Sequence, residues 1–187
     1  RRDAVRTTET AIGNLIADAM RLAMNADVAI TNGGGIRGDR TYPAGTVLTR
    51  KDILTELPFG NVTVLVELQG ADLVSALENG VSQVEQKAGR FPQVSGLTFG
   101  YDPKRPAGQR VVEVRVGGAP IEPGRTYRVA TNDYMLGGGD GYTALGRGKV
   151  LVDASGATLM ASTVMNYVTA LGGKAAPMVE GRIRRTE

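Results

Sequence analysis

Two runs of three consecutive glycines constrain this 187-residue chain more than any other feature. The first lies in Thr31-Asn32-Gly33-Gly34-Gly35-Ile36-Arg37, and the second in Met135-Leu136-Gly137-Gly138-Gly139-Asp140-Gly141. Glycine costs backbone entropy, so a run of it is useful where the backbone takes a positive φ or approaches a ligand closely. Each run leads to a charged side chain, Arg37 in one and Asp140 in the other. The pair suggests two loops around an anionic ligand that also carries hydroxyl groups, such as a nucleotide or a sugar phosphate.

The composition is that of a folded globular domain. Hydrophobic residues make up 42% of the chain and charged residues 22%, which argues against disorder. At this length we expect a single domain over residues 1–187 with a substantial core. The net charge of +3 is too small and too scattered for a nucleic-acid surface. No run of residues has the apolar length of a membrane span.

The chain contains no histidine and no cysteine. Serine–histidine and cysteine–histidine nucleophiles are therefore excluded, and the usual metal ligands and general base are missing. The acidic residues do not have the spacing of an EF-hand. If the chain belongs to an enzyme, we expect the bond-breaking groups elsewhere, with no catalytic residue, metal site or cofactor site in this chain.

The hydrophobic pattern predicts an α+β fold, in which helices flank a mixed sheet. Four segments are predicted helices, mostly from apolar side chains that recur every three or four positions: 10–24, 49–57, 70–86 and 158–171. Thr49 with Asp52 three residues later predicts a capped start for the second of them. Five segments are predicted strands: 27–31, 62–68, 94–101, 111–116 and 125–131. Helices early and late around a strand-rich middle favour a mixed sheet.

The two charged residues of the glycine loops each have two interpretations. Backbone N–H groups of a glycine-rich turn and the Arg37 guanidinium would together hold a phosphate. Alternatively, Arg37 caps a helix or pairs with Asp39. The Asp140 carboxylate could accept hydrogen bonds from two ribose hydroxyls, or it could belong to an ordinary Asp-Gly turn. The residues alone leave both questions open.

Two aromatic residues lie beside glycine-rich segments in a chain that is only 5% aromatic. Phe59 lies in a Pro-Phe-Gly-Asn turn, and Tyr134 comes just before the second glycine run. Together they could stack on a base, which contributes about 1–3 kcal/mol; taken singly, each could instead fill the core. Arg2 and Arg6, which precede the first long helix, could be solvated surface charges.

Four segments together resemble the C-terminal domain of 5′-nucleotidases, a family that includes the bacterial UDP-sugar hydrolases: 6–20, 31–37, 57–61 and 137–142. The resemblance runs from about residue 2 to residue 171. It implies that an N-terminal metallophosphoesterase domain in the same polypeptide holds two divalent metal ions, such as zinc or manganese, and performs the hydrolysis. The C-terminal domain then binds the nucleoside and carries the phosphate to those metals.

The resemblance also implies roles for individual charged residues. The arginines that contact phosphate and ribose in the family match Arg6 and Arg37, and Arg2 is a further candidate. The aspartate that binds ribose matches Asp140. All four are therefore expected to bind substrate.

The base-binding residues of the family match uncharged positions of this chain. The asparagine that contacts the base matches Asn32, and the two rings that sandwich it match Phe59 and Tyr134. Asn61 and Gly89 match positions that line the base pocket. Where the family pattern has phenylalanine, this chain has Tyr134, whose ring should still stack and whose hydroxyl could alter the base preference.

The function implied is nucleotide binding for a 5′-nucleotidase or nucleotide-sugar hydrolase that is periplasmic, secreted or at the cell surface. This chain alone is expected to be inactive. One alternative is a binding module for nucleosides or nucleotides with no hydrolase attached. Others are a 2′,3′-cyclic-nucleotide phosphodiesterase and a thiosulfate-ester hydrolase of the same superfamily. The base preference is open.

Overall fold

The computed structural model describes residues 2–186, which form helices around two β-sheets. The helices are α1 (Arg2–Val5), α2 (Ala11–Ala23), α3 (Arg50–Glu56), α4 (Gly70–Val81), α5 (Asp133–Leu136) and α6 (Met160–Ala170). The strands are β1 (Val28–Asn32), β2 (Val62–Gln69), β3 (Pro92–Ser95), β4 (Leu97–Tyr101), β5 (Val111–Val116), β6 (Ala119–Pro120), β7 (Thr126–Asn132), β8 (Lys149–Val152), β9 (Thr158–Leu159) and β10 (Ile183–Arg185). The predicted α+β class with a mixed sheet is confirmed.

The larger sheet is mixed and is covered on both faces. Its strand order is β3-β1-β7-β2-β8, with β9 also paired to β2. Side chains alternate between two cores along the fully buried β1: Val28 and Ile30 join one core with α4, and Ala29 joins the other with α2 and α6. A strand that is buried on both faces has a continuous apolar run rather than alternation, which is the pattern of the first three residues of β1; Thr31 and Asn32 at its end are polar and line the cleft described below.

The arrangement of three neighbouring strands positions the two glycine loops. Strands β1 and β7 are parallel neighbours, so their carboxyl ends lie at the same edge of the sheet. Gly33 follows β1 directly, and α5 and the second glycine loop follow β7. Strand β2 is antiparallel to β7, and its first residues pair with the end of β7. The Phe59-to-Asn61 turn that precedes β2 therefore reaches this edge as well.

Three predicted elements differ from the structure in continuity or by more than one residue at an end. The predicted helix 70–86 ends at Val81, whose carbonyl accepts a hydrogen bond from Nη1 of the buried Arg110 at 2.8 Å. The predicted strand 94–101 is two strands, because Gly96 takes a φ of +74° between β3 and β4. The predicted helix 158–171 begins at Met160, because the two preceding residues pair with β2 as β9.

The smaller sheet has the order β10-β4-β5-β6. A buried carboxylate links the segment before α2 to β10 and the residues that lead into it. Glu9 accepts hydrogen bonds from the backbone N–H groups of Glu180 and Arg182 at 2.7 Å each, and from that of Ile183 in β10 at 3.4 Å. The Asn14 side chain donates a fourth at 2.7 Å. Burial raises the pKa of Glu9, but these hydrogen bonds outweigh it and hold the pKa below its usual value. No helix within residues 2–186 has the length and apolarity needed to cross a bilayer.

Candidate functional site

A cleft of about 500 Å³ opens at the edge of the larger sheet where the two glycine loops meet. This volume is within the range of small-ligand sites, about 300–1,000 Å³. Its lining residues are Arg6, Thr31, Asn32, Gly34, Gly35, Arg37, Leu57, Phe59, Asn61, Gly89, Asn132, Tyr134, Asp140 and Met160. Eight of the nine predicted site residues are thus brought together. The ninth is Arg2, whose backbone begins α1 and whose side chain lies outside the described residues.

The first glycine loop is pinned to the segment before β3. The N–H of Gly33 donates to the carbonyl of Phe91 at 2.7 Å, and that of Gly34 donates to the carbonyl of Gly89 at 2.9 Å. A Cβ on Gly34 would lie 2.7 Å from Cα of Gly89, closer than real Cβ atoms approach backbone. Gly34 and Gly89 therefore allow two backbones to touch at the wall of the cleft.

The second glycine loop owes its shape to left-handed backbone. Gly138, Asp140 and Gly141 have φ values of +93°, +56° and +79°. Aspartate tolerates this region better than most side chains do. The Asn79 side chain donates to the backbone carbonyl of Asp140 at 3.0 Å, which fixes the turn from the side of α4.

The Asp140 carboxylate joins the two loops. Its Oδ2 accepts from Nδ2 of Asn32 at 2.9 Å, and its Oδ1 accepts from the Tyr134 hydroxyl at 3.0 Å. The hydrogen bond to Asp140, together with burial, raises the pKa of Tyr134 above its ordinary value. An ionised carboxylate has about four acceptor positions, so two protein donors leave one position on each oxygen. A pair of neighbouring hydroxyl groups could use both.

Arg37 follows the first glycine loop and also lines the cleft. Its Nε donates to the carbonyl of Gly34 at 2.7 Å, and its guanidinium carbon lies 4.9 Å from the centre of the Phe59 ring. The first contact ties the side chain to its own glycine loop, and the second is a cation–π contact. Arg37 also donates its backbone N–H to the carbonyl of Glu56 at the end of α3.

Neither predicted stacking ring is a core residue. Phe59 is 58% exposed and Tyr134 is 48% exposed, and both line the cleft. Filling the core is therefore the wrong interpretation for both. That they stack on a base stays a prediction.

Several residues that shape the cleft had no role in the sequence analysis. Four of them line it: Thr31, Leu57, Asn132 and Met160. Gln93 does not line it but supports the backbone around Arg6, which does. The fully buried Gln93 side chain donates to the carbonyls of Val5 and Thr8, on either side of Arg6, at 3.1 and 2.8 Å. For Asn132 the sequence did hold one signal: it follows the predicted strand 125–131, and asparagine is a preferred helix N-cap, which indicates the start of α5.

The described residues offer no set of metal ligands. Within residues 2–186, no three side chains of the His, Cys, Asp or Glu type come together in a way that could hold a metal ion. What the cleft presents is a pair of arginines, two exposed rings and an oriented carboxylate, which can bind and orient a ligand.

Comparison with known proteins identifies the class of this domain. The family model described as "5′-nucleotidase, C-terminal domain" matches residues 1–147. The chain therefore belongs to the 5′-nucleotidase C-terminal domain family. Among solved structures, a 5′-nucleotidase precursor from Thermus thermophilus is similar over 100% of the chain, with a TM-score of 0.91 and 41% identity. The chain covers 37% of that structure.

Two curated relatives are similar over nearly all of the chain. The trifunctional nucleotide phosphoesterase protein YfkN of Bacillus subtilis strain 168 is 39% identical over 98% of the chain. A snake venom 5′-nucleotidase of Gloydius brevicauda is 34% identical over 96%. The chain spans only 13% of the first and 33% of the second. Its relatives are thus nucleotidases or phosphoesterases of much greater length.

Proposed function

We propose that this chain is the substrate-binding domain of a metal-dependent 5′-nucleotidase or nucleotide-sugar hydrolase. The observation that carries the proposal is the convergence, in one cleft, of two exposed rings, two arginines and a carboxylate with a free acceptor position on each oxygen. A nucleotide has a matching part for each: an aromatic base, an anionic phosphate and a vicinal diol. The size of the cleft also suits such a ligand.

In this proposal different residues contact different parts of the nucleotide. Phe59 and Tyr134 stack on the base, and Asp140 accepts the ribose hydroxyls. Arg6 and Arg37 attract the phosphate, for which the guanidinium fork is well suited. The residues of this chain therefore bind and orient the ester rather than break it.

The hydrolysis is assigned to an N-terminal metallophosphoesterase domain in the same polypeptide. The length of the relatives supports this division, since the chain corresponds to a minor part of each of them. The two divalent metal ions, zinc or manganese, belong to that domain. We extend to this protein a location outside the cytoplasm, in the periplasm, at the cell surface or secreted, by likeness to the family.

Calorimetry with the purified chain tests the binding role directly. Adenosine, AMP, UMP and a UDP-sugar are titrated in turn, and selective binding of at least one is expected. Phe59→Ala should weaken that binding about tenfold or more, because it removes a stacking ring. Leu22→Ala is the matched control, since Leu22 is 53% exposed on α2 and does not line the cleft. Failure of all four ligands to bind would contradict the proposal.

The role in catalysis is tested in the full-length enzyme. Asp140→Ala should raise KM with little change in kcat, because a ground-state contact to ribose is lost. A fall in kcat at constant KM would contradict a binding role. The isolated chain with added Mn²⁺ or Zn²⁺ should hydrolyse none of the nucleotides, and turnover by it would contradict the division between domains.

A further inference from the structure

A directional row of hydrogen bonds runs from the start of α5 to the cleft carboxylate. The backbone N–H of Met135 donates to Oδ1 of Asn132 at 2.9 Å, and Nδ2 of Asn132 donates to Oδ1 of Asn32 at 3.0 Å. Nδ2 of Asn32 then donates to Oδ2 of Asp140 at 2.9 Å. Both asparagines are buried, with 1% exposure for Asn132 and 5% for Asn32.

The two ends of this row determine the orientation of both amides. A backbone N–H can only donate, and an ionised carboxylate can only accept. The Asn132 amide must therefore turn its oxygen to Met135 and its nitrogen to Asn32. That nitrogen requires the oxygen of Asn32 to face it, which leaves the Asn32 nitrogen to face Asp140. A reversal of either amide would bring two acceptors together in a buried environment, where unmade hydrogen bonds are costly.

We propose that Asn132 is a positioning residue for nucleoside binding that acts on Asp140 through Asn32. The inference rests on the proposed function, because it assumes that Asp140 accepts ribose hydroxyls. Asn132 orients the Asn32 amide, and the Asn32 amide holds Oδ2 of Asp140 so that the free acceptor positions of the carboxylate face the cleft. In this proposal the Asn32 amide uses its oxygen for Asn132 and its nitrogen for Oδ2 of Asp140, so it serves the sugar site rather than the base. The Tyr134 hydroxyl donates to the other carboxylate oxygen, Oδ1, and contacts neither asparagine of the row.

The substitution Asn132→Asp separates this role from the capping of α5. Aspartate still accepts from the backbone N–H of Met135 and is as good an N-cap as asparagine. It offers Asn32 an acceptor in place of a donor, however, so that no orientation of the Asn32 amide satisfies both neighbours. The variant therefore keeps the helix start and breaks the row toward Asp140.

The measurement is the preference for ribose over dideoxyribose. Calorimetry of the purified chain compares adenosine with 2′,3′-dideoxyadenosine, and uridine with 2′,3′-dideoxyuridine. In Asn132→Asp the ratio of the two dissociation constants should fall about tenfold, the effect of losing a hydrogen bond to a charged group. Binding of the dideoxynucleoside should change less than about twofold. Equal weakening of both ligands would overturn the proposal, because it would indicate a merely structural role.

Two further variants keep the test decisive. In Asn132→Ser the hydroxyl still caps α5, but the side chain is shorter than asparagine by the amide group and does not reach Oδ1 of Asn32. The ratio should therefore fall even if the aspartate variant does not fold. Ser95→Ala is the control for lost stability: Ser95 is 1% exposed in β3, donates to Asp18 at 2.6 Å and does not line the cleft. Its ratio should equal that of the unsubstituted chain.

The outcomes distinguish failure of the inference from failure of the proposed function. If Asp140→Asn lowers the ratio but both Asn132 variants leave it unchanged, the inference is wrong and the ribose site stands. If the unsubstituted chain binds no nucleoside, or shows no preference for ribose, the proposed function is wrong and the inference falls with it.

Discussion

The two glycine loops are alike in sequence and differ in the reason for their glycines. Gly33, Gly34 and Gly35 all avoid positive φ, and the first two are buried against the backbone of residues 89–91. In the second loop Gly138 and Gly141 take positive φ, and a Cβ on Gly138 would meet no atom within 4 Å. Gly33 and Gly34 in the first loop therefore need to be glycine for lack of space, and Gly138 in the second for its backbone conformation.

This difference predicts how each loop tolerates a side chain. A steric conflict between two backbones cannot be relieved by a rotamer change, whereas a left-handed conformation in open space costs only the intrinsic preference of the residue. An alanine should therefore cost more stability at Gly34 than at Gly138.

The largest effect is expected for Gly34→Ala. Its Cβ would lie 2.7 Å from Cα and 3.0 Å from the carbonyl oxygen of Gly89, so two pinned segments must separate. We expect a loss of about 3 kcal/mol in the free energy of unfolding, measured by urea denaturation. Gly124→Ala is the control, because its Cβ would meet nothing within 4 Å and its φ is not positive. A Gly34→Ala chain as stable as the control would refute the steric explanation.

A smaller loss is expected for Gly138→Ala. At a φ of +93° with no neighbouring atom within 4 Å, the cost is that of the left-handed region alone, about 1–2 kcal/mol. Gly138→Asn should recover part of this, because asparagine visits that region more readily. The same urea measurement applies. If Gly138→Ala proved as damaging as Gly34→Ala, the two loops would not differ as described.

The smallest effect concerns the Tyr134 hydroxyl, which joins the second loop to its own helix. The hydrogen bond to Asp140 raises the pKa of Tyr134 above the unfolded value of about 10. This contribution to stability is therefore fully present below about pH 10 and is lost as the pH rises through the raised pKa. The stability difference between the unsubstituted chain and Tyr134→Phe should be constant from pH 7 to about pH 9 and shrink above about pH 10. A difference that is flat through that range would show that the hydroxyl does not donate to Asp140.

Local signals explain what the sequence analysis predicted correctly. Thr49 and Asp52 form the expected capping box at the start of α3, because both hydrogen bonds join residues three positions apart. The meeting of the two glycine loops also follows from pattern, since each comes directly after a buried strand or one turn beyond it.

Long-range contacts explain what the sequence could not provide. At the end of α4, the carbonyl of Val81 accepts a hydrogen bond from Arg110, which lies far along the chain. Gln93 donates to the backbone on both sides of Arg6, and Asn132 donates to Asn32, which in turn donates to Asp140. Each of these polar residues looks like an ordinary strand or loop residue until the fold brings its partner to it.

The hydrogen bonds of Glu9 bear on where the domain can be truncated. The family match stops at residue 147, but three of the four donors to Glu9 are backbone N–H groups at residues 180, 182 and 183. A truncation at the matched limit would also remove α6 from its place against α2. It would take away the backbone donors that tie Glu9, and with it the segment that carries Arg6, to the rest of the fold. Boundaries for expression are therefore better drawn from the hydrogen bonds of the folded chain than from the extent of an alignment.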